Sequence, residues 1–449
     1  MLNYIWLAFL LIAVLVGGFT GRLPEMTKGA FETAESAVMK IALPLVGVMA
    51  IWLGIMRLAE RSGLVQVIAR LLRPLMIRLF PDVPPDHPAI GAMVMNMAAN
   101  MLGLGNAATP LGLRAMSLLE KLNPRPGVAS NAMCTFLAIN TASIQLIPTT
   151  AIGLLAIAGS KNPTAIVPAA FLATLIAATS GVLSAKLLER LPIFRLSPVP
   201  AAATTDSAKS DPVETHEIER IETTPLDWSK SAVLSVFLLA FVLMFVLLAF
   251  PDSLGGIISA PPRPAEMEGK SAMIRALFAI SIVAVPFLLS FFPLYATLRG
   301  VKVYEQFVEG AKEAFGVGQR IVPFLVAMLV SIRMLREAGV IDLMTKSLTP
   351  FFAAIHFPAD LLPMVLMRPL SGSATQGLFV ELINRLGPDS LTSRMAATIY
   401  GSTETTFYVI AVYFGSVAVR QTRHAIAAGL IADSVAVIAS VAICHALFG

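Results

Sequence analysis

The chain returns repeatedly to apolar stretches as long as a bilayer is thick: Leu2–Phe19, Val38–Met56, Ala132–Ala158, Ile166–Leu183, Ala232–Phe250, Ala276–Phe292, Met395–Val417 and Ile426–Leu447. A helix rises about 1.5 Å per residue and the hydrocarbon layer is about 30 Å deep, so roughly 20 apolar residues cross it. With 14% of its 449 residues charged and 56% hydrophobic, the chain lacks the polar surface that a water-soluble protein of this length needs. Lipid offers no partner to a backbone N–H or C=O, so spanning segments must satisfy their own, as helices. The expectation is an all-α polytopic membrane protein with lipids around it. Met1–Trp6 carries no positive residue and "VGGFTGRL" is a poor cleavage site, so Leu2–Phe19 reads as a retained helix rather than a leader. Cys134 and Cys444 lie in apolar runs and read as small buried hydrophobes, with no disulfide or metal cage.

One segment breaks this pattern. "SPVPAAATTDSAKSDPVETHEIERIETTPLD", Ser197 to Asp227, holds four prolines and seven acidic residues against Lys209 and Arg220. It has no apolar periodicity and reads as a solvated linker without regular structure. Just before it, Lys186, Arg190 and Arg195 flank a helix end. Positive residues mark cytoplasmic loops, which puts the linker in the cytoplasm. The domain expectation is therefore a first unit over 1–195, a linker over 196–228 and a second unit over 229–449. The net charge of +5 belongs to loops and anionic lipid contact in such a chain, not to nucleic acid.

The two units repeat each other. "FETAESAV" from Phe31 matches "FVEGAKEA" from Phe307; Gly63 falls on Gly339 and Pro74 on Pro350; "HPA" at His87 falls on "FPA" at Phe357. "MLGLGNAAT" from Met101 falls on "MRPLSGSAT" from Met367, and "INTASI" from Ile139 on "GSTETT" from Gly401. The order is collinear throughout. Each copy thus carries a Gly-rich polar interruption, Asn100–Gly112 and Pro369–Gln376, where an apolar run leads toward lipid depth. Paired interruptions at corresponding positions point to a transporter binding site, since broken backbone is tolerated at that depth only when protein or a watery cavity takes it up. Each is read as the tip of a re-entrant hairpin; an extramembrane Gly-rich turn is the alternative. If the repeats are inverted, equivalent segments lie on opposite faces. Met56–Pro81, with Arg57, Arg61, Arg70, Arg73 and Arg78 along an apolar stripe, reads as a cytoplasmic interfacial helix. Ile332–Pro358 carries Arg333, Arg336 and Lys346 offset by Glu337 and Asp342, an asymmetry in the direction inversion requires.

At these motifs the chain resembles a known family. "WLGIMRLAERSGL", "FPDVPPDHPA", "NMLGLGNAATPLGLRAM" and "FLAINTASIQLIPTT" are similar to spore maturation protein A; "PFLVAMLVSIRMLREAGVID", "MVLMRPLSGSATQG" and "YGSTETTFYV" to spore maturation protein B, here in one chain. Both belong to the nucleoside-recognition or Gate group, with the permease portions of concentrative nucleoside transporters and of ferrous iron transport protein B. The resemblance implies two inverted gate repeats, each with a re-entrant hairpin and an interrupted helix, in a bacterial cytoplasmic (inner) membrane. It also implies a homo-oligomer, by analogy a trimer. The chain departs from the iron relatives: it has no P-loop, and Asn106 follows Gly105 where their gate cysteine is expected.

The candidate site comes from the polar residues of both interruptions and of the tracts that follow. From the first repeat these are Asn106, Thr109, Asn140, Thr141 and Ser143; from the second, Arg368, Ser371, Ser373, Thr375, Ser402, Thr403, Glu404 and Thr405. Asn140, Thr141, Ser143 and Gln145 are open to two readings, interhelical hydrogen bonding or solute binding. Glu404 is either a helix-start acid near the interface or a deeper group that takes a solute's donors or a coupling cation or proton. Arg368 is its natural charge partner. No catalytic motif, metal-ligand cluster or cofactor signature is present, and His87, His216, His356, His424 and His445 are scattered. The expected function is transport or binding of a small polar solute, nucleoside-like or other, rather than an enzyme; a membrane scaffold or regulator that keeps the gate fold, or a channel, is the alternative.

Overall fold

The computed structural model describes residues 2–103, 105–194, 224–251, 267–340 and 357–449. The body of the linker, Lys346, Pro350, His216, His356 and the Asn106 side chain lie outside the described residues. Within them the regular structure is helical, with an isolated parallel bridge between Val128 and Gln421. Six helices are long and apolar enough to cross a membrane, and the protein is a multi-pass membrane protein.

The first half opens with α1 (Leu2–Phe19), then α2 (Leu23–Ser36) and α3 (Leu43–Arg61), which a π-helical turn at Ala37–Ala42 joins into one rod. The amphipathic α4 (Leu64–Leu79) follows, then a hairpin of α5 (Pro88–Met101) and α6 (Gly105–Lys121). Next come α7 (Asn131–Ala142) and α8 (Thr149–Ile157), the two parts of a broken helix, and α9 (Ile166–Leu188). The second half opens with α10 (Trp228–Ala249) and α11 (Ala272–Leu298) and continues with the long α12 (Val303–Glu337). It repeats the hairpin as α13 (Leu362–Met367) and α14 (Gly372–Leu386), the broken helix as α15 (Leu391–Ser402) and α16 (Thr406–Ser416), and the closing span as α17 (Ala425–Phe448).

The repeats are inverted, and side-chain ties at the helix ends show it. On the face where the linker leaves, Arg423, just before α17, donates to the Phe194 carbonyl beyond α9 and to the Ala129 carbonyl and Asn131 Oδ1 at the start of α7. On the opposite face, Asp389, before α15, accepts from Ser160 Oγ at 2.6 Å and Lys161 N–H at 3.0 Å, before α9. There too Arg394 of α15 lies over the ring of Phe448, at the end of α17. So α7 and α17 start on the linker face, whereas α15 and α9 start on the other. Each hairpin enters and leaves by one face. Asp360, ahead of α13, pairs with Arg385 at the end of α14 at 2.6 Å, and Val83, ahead of α5, lines one cavity with Leu119 and Leu122 at the end of α6. Each broken helix packs on the closing span of the other repeat, α7 on α17 and α15 on α9.

The α2–α3 rod and α12 lie antiparallel along their whole length, with Gly29 against Arg333, Val46 against Gly318 and Gly54 against Phe307. At 39 and 35 residues each is far longer than a bilayer core is deep, at about 1.5 Å per residue. They approach closely at Gly54 and Gly310: a Cβ on Gly310 would stand 2.5 Å from the Leu53 carbonyl.

Two boundary expectations are corrected. Met56–Pro81 is not one helix: Gly63 at φ 80 breaks it, so Arg57 and Arg61 end α3 and the interfacial helix is Leu64–Leu79. The interruptions are shorter than the polar composition indicates. The first falls between the end of α5 at Met101 and the start of α6 at Gly105, and the second is Arg368–Ser371, because the small residues after each tip are already helical.

Candidate functional site

Both broken helices stop for local reasons. Ser143 takes the left-handed conformation (φ 38) at the end of α7, and Pro148 has no N–H with which to continue a helix. The exposed carbonyls of Ala142 and Ser143 are taken up by the hydroxyl of Thr174 on α9, at 2.9 and 3.0 Å. In the second repeat Thr403 is fully extended after α15. Here Arg368, at the hairpin tip, does the capping. Its Nε donates to Thr403 Oγ1 at 3.0 Å, its Nη2 donates to the carbonyls of Tyr400 and Thr403, and its guanidinium lies 4.7 Å from the Tyr400 ring centroid. The expected Arg368–Glu404 charge pair does not form: Arg368 is buried and its hydrogen bonds go to Thr403 and Tyr400, because a guanidinium with a planar fork of donors suits two carbonyls at a helix end.

The same backbone tie occurs twice. Leu146 N–H donates to the Met101 carbonyl and Phe407 N–H to the Pro369 carbonyl, both at 3.0 Å, so each break is fastened to its own hairpin tip. The two breaks then meet, with Glu404 N–H donating to the Thr141 carbonyl at 2.9 Å. Gln145 Nε2 donates to Glu404 Oε1 at 3.5 Å and to Ser143 Oγ at 3.4 Å. Gln145 and Glu404 are partly exposed while Thr141, Ser143, Thr403 and Thr405 are buried, so the carboxylate and amide are the accessible groups of this junction.

A second cluster lies beside it. Asn140 Oδ1 accepts from Asn100 Nδ2 at 3.0 Å and from the Tyr413 hydroxyl at 3.3 Å, and Asn96 Nδ2 reaches the Ala108 carbonyl and Tyr413. Tyr413 stacks on Phe136 and can approach because residue 112 is Gly, where a Cβ would stand 2.3 Å from its hydroxyl.

Of the expected residues, the fold gathers Asn140, Thr141, Ser143, Thr403 and Glu404 at the crossing, with Arg368 behind it. Thr405 Oγ1 lies against Gly372. Ser371 is spent as the N-cap of α14, accepting from Ala374 N–H, and Thr375 donates to the Ser371 carbonyl. Ser373 and Thr109 are partly buried on helices, and Ser402 pairs with Ser440. Sequence reasoning missed Asn96, Asn100, Tyr413 and Asp433. Asn96 and Asn100 stand four residues apart in an apolar helix, and Asp433 is the one acid in α17; those were the available signals.

Two cavities are lined by the described residues. One, of about 160 Å³, is lined by Trp52, Met56 and Val317 with Gly103 of the hairpin tip and Thr149 of the break. The other, of about 720 Å³, opens on the linker face between Asp82, Asn123, Asn131, Glu189, Arg190 and Arg423. Arrays of buried amides and hydroxyls with one accessible carboxylate can bind a neutral or cationic polar solute; among the described residues no cluster of His, Cys, Asp and Glu could hold a metal ion.

The family of nucleoside-recognition Gate domains matches this chain over residues 42–158 and 319–420. Spore maturation protein A of Bacillus subtilis (strain 168) is 44% identical over 183 residues, 41% of this chain and 93% of that protein. Spore maturation protein B of the same organism is 42% identical over 170 residues, 38% of this chain and 96% of that protein. Among solved structures, the YdaH transporter of Alcanivorax borkumensis aligns over 99% of this chain and 96% of its own at 15% identity, with a TM-score of 0.45. Two Gate regions and near-complete matches to both relatives identify the chain as a member of the spore maturation protein A and B family, with the two proteins fused.

Proposed function

We propose that the protein is a carrier for a small polar solute, bound where the two broken helices cross, in a bacterial cytoplasmic membrane with the linker on the cytoplasmic side. The observation that carries this reading is the junction itself. Two inverted repeats bring their broken backbones into one hydrogen bond, Glu404 N–H to Thr141 C=O, and leave Glu404 and Gln145 partly exposed among buried polar groups. A polar opening at the meeting point of inverted repeats is what alternating access needs, since rocking one repeat against the other exposes the same residues to either face. The Gate description, nucleoside recognition, makes nucleosides the first solutes to try. Their hydroxyls suit the Glu404 carboxylate, and their base edges suit the amides of Gln145, Asn140 and Asn100.

The test is a binding screen by calorimetry on the purified chain with nucleosides, nucleobases and organic acids. A hit is expected to lose at least tenfold in affinity in Glu404→Gln and a few-fold in Asn140→Ala, whose amide is neutral, with both variants folded. Loss of a charged hydrogen bond costs about 1.5–3 kcal/mol, and 1.4 kcal/mol is a factor of ten. Unchanged affinity in folded variants rejects the site. Binding by none of these solutes, with effects of substitution confined to melting temperature, favours a scaffold.

A further inference from the structure

We propose that Asp433 is a proton-binding site, a neutral carboxylic acid that holds its proton beside the second helix break. Asp433 is 5% exposed, and α17 carries no other acid and no lysine or arginine. Its Oδ2 accepts from the Thr406 hydroxyl at 2.6 Å. Its Oδ1 is buried and has no hydrogen-bond partner among the described residues. A carboxylate in that position would keep its charge with one hydrogen bond, whereas a neutral acid leaves at most one weaker polar group unsatisfied. The proton passes from hydronium to Oδ1: one O–H bond of the hydronium breaks, the Oδ1–H bond forms and a neutral water leaves.

The surroundings supply no neutralising ion pair. Among the described residues no base forms an ion pair with Asp433, and the Arg368 hydrogen bonds are directed at Thr403 and Tyr400. Of the elements packed on α17, α9 has Lys186 and, just beyond its end, Glu189, paired with each other. From α7 comes Cys134, near the linker face with its Sγ turned to the Thr422 carbonyl. Tyr400 of α15 stacks on Phe379, and Arg394 lies over Phe448 at the far end of α17. Tyr408 of α16 is exposed, and Tyr413 is engaged by Asn140.

The position has a counterpart in the first repeat. Asp433 is the ninth residue of α17, and Thr174 the ninth of α9. At the first break Thr174 offers a hydroxyl to two carbonyls; at the second the closing helix offers a carboxyl. Thr406, its partner, opens α16 two residues after Glu404 and one before Phe407, whose N–H fastens the break to the hairpin tip. Gaining or losing the proton therefore acts on the hydroxyl at the hinge of the second break. The proton site stands without the carrier reading; if that reading holds, this is the coupling proton.

The experiment is infrared difference spectroscopy of the purified full chain between alkaline and acid buffers, in water and in heavy water, with choline chloride as the salt. Wild type is expected to show a deuterium-sensitive carboxylic acid C=O band. The band should vanish in Asp433→Asn, persist in Glu404→Gln and move to higher wavenumber in Thr406→Val, where the hydrogen bond to the carbonyl oxygen is gone. Its absence from wild type, or its survival in folded Asp433→Asn, overturns the proposal. So does its loss when sodium replaces choline at the same pH, which would make the occupant a metal cation. Should Asp433→Asn not fold, Thr406→Val decides: an unmoved band sinks the assignment.

Discussion

Arg368 is a buried cation whose work in this fold is to finish a helix. Two carbonyls at the end of α15 and the Thr403 hydroxyl take its donors, and Tyr400 takes its face. Removing the guanidinium strands those acceptors in a buried place, at about 1–3 kcal/mol for each one left unsatisfied. Arg368→Gln is therefore expected to lower the melting temperature in detergent by several degrees. Arg368→Lys should recover little, since an ammonium has no planar fork and no stacking face. Neutralising Glu404 in the same chain should not restore stability, because the arginine serves carbonyls; a double variant as stable as wild type would show that the two are an ion pair after all. At this scale the sequence was legible where a polar residue interrupts an apolar run, as at Glu404 and Asn140. It was not legible for Asp433 or Tyr413. Asp433 lies on a helix without a break, and Tyr413 reads as an ordinary aromatic until the fold brings Asn96, Asn140 and Gly112 around it.

At the scale of the element, the repeat made the broken helices legible. "INTASI" and "GSTETT" differ in composition, yet both carry a stop, and the structure ends α7 and α15 within them, at aligned points two residues apart. Hairpin-tip lengths were not legible, because Gly, Ala, Ser and Thr belong to tips and to close-packed membrane helices alike. The same ambiguity covers the glycines of the long rods, of which Gly29, Gly54, Gly310 and Gly318 are contact residues. Replacing Gly310 by Leu would drive a side chain into the Leu53 carbonyl and Arg57. Backbone cannot retreat as a flexible side chain can, so the rods must separate, and overpacking of this kind costs about 1–3 kcal/mol or more. Gly316→Leu, with nothing near its Cβ, is the control, and melting temperatures of the two variants distinguish a contact glycine from a merely helical one. The start of α17 carries a pH dependence. His424 is fully buried, its ring nitrogens have no partner, and it meets Phe194 edge to face. Burial first, then Arg423 and Lys186, hold its pKa down at about 4 from an ordinary 6.5. The unfolded chain thus binds the proton more readily, so the contribution is complete above about pH 6.5 and is lost as pH falls toward 4, at up to about 1.4 kcal/mol per unit. His424→Leu should flatten that part of the stability profile and leave the alkaline side unchanged; an identical acid limb in both proteins would place the effect elsewhere.

For the whole molecule, the inverted arrangement follows from which ends are tied to which. Sequence hinted at it through Arg57, Arg61, Arg70, Arg73 and Arg78 against the fewer bases of the matching segment, but charge counts give orientation and not contact. The contacts are specific. Arg423 joins the start of α17 to Phe194 and to the start of α7 on one face, and Asp389 joins the start of α15 to Ser160 and Lys161 on the other. Both latches link one repeat to the other, so each is a point where rocking would have to yield. The faces themselves can be assigned by chemistry on intact cells. Cys134 and Cys444 are fully buried and give little background to a membrane-impermeant thiol reagent. A cysteine at Arg190, on the linker face, should be labelled only after the membrane is opened if that face is cytoplasmic as the basic residues indicate. A cysteine at Lys161, which is exposed on the opposite face, should be labelled from outside in whole cells. The result that both react from the same side would mean that α9 does not cross the membrane, since Lys161 and Arg190 bound that span. Labelling of Arg190→Cys from outside and of Lys161→Cys from inside would keep the inversion but reverse the protein in the membrane.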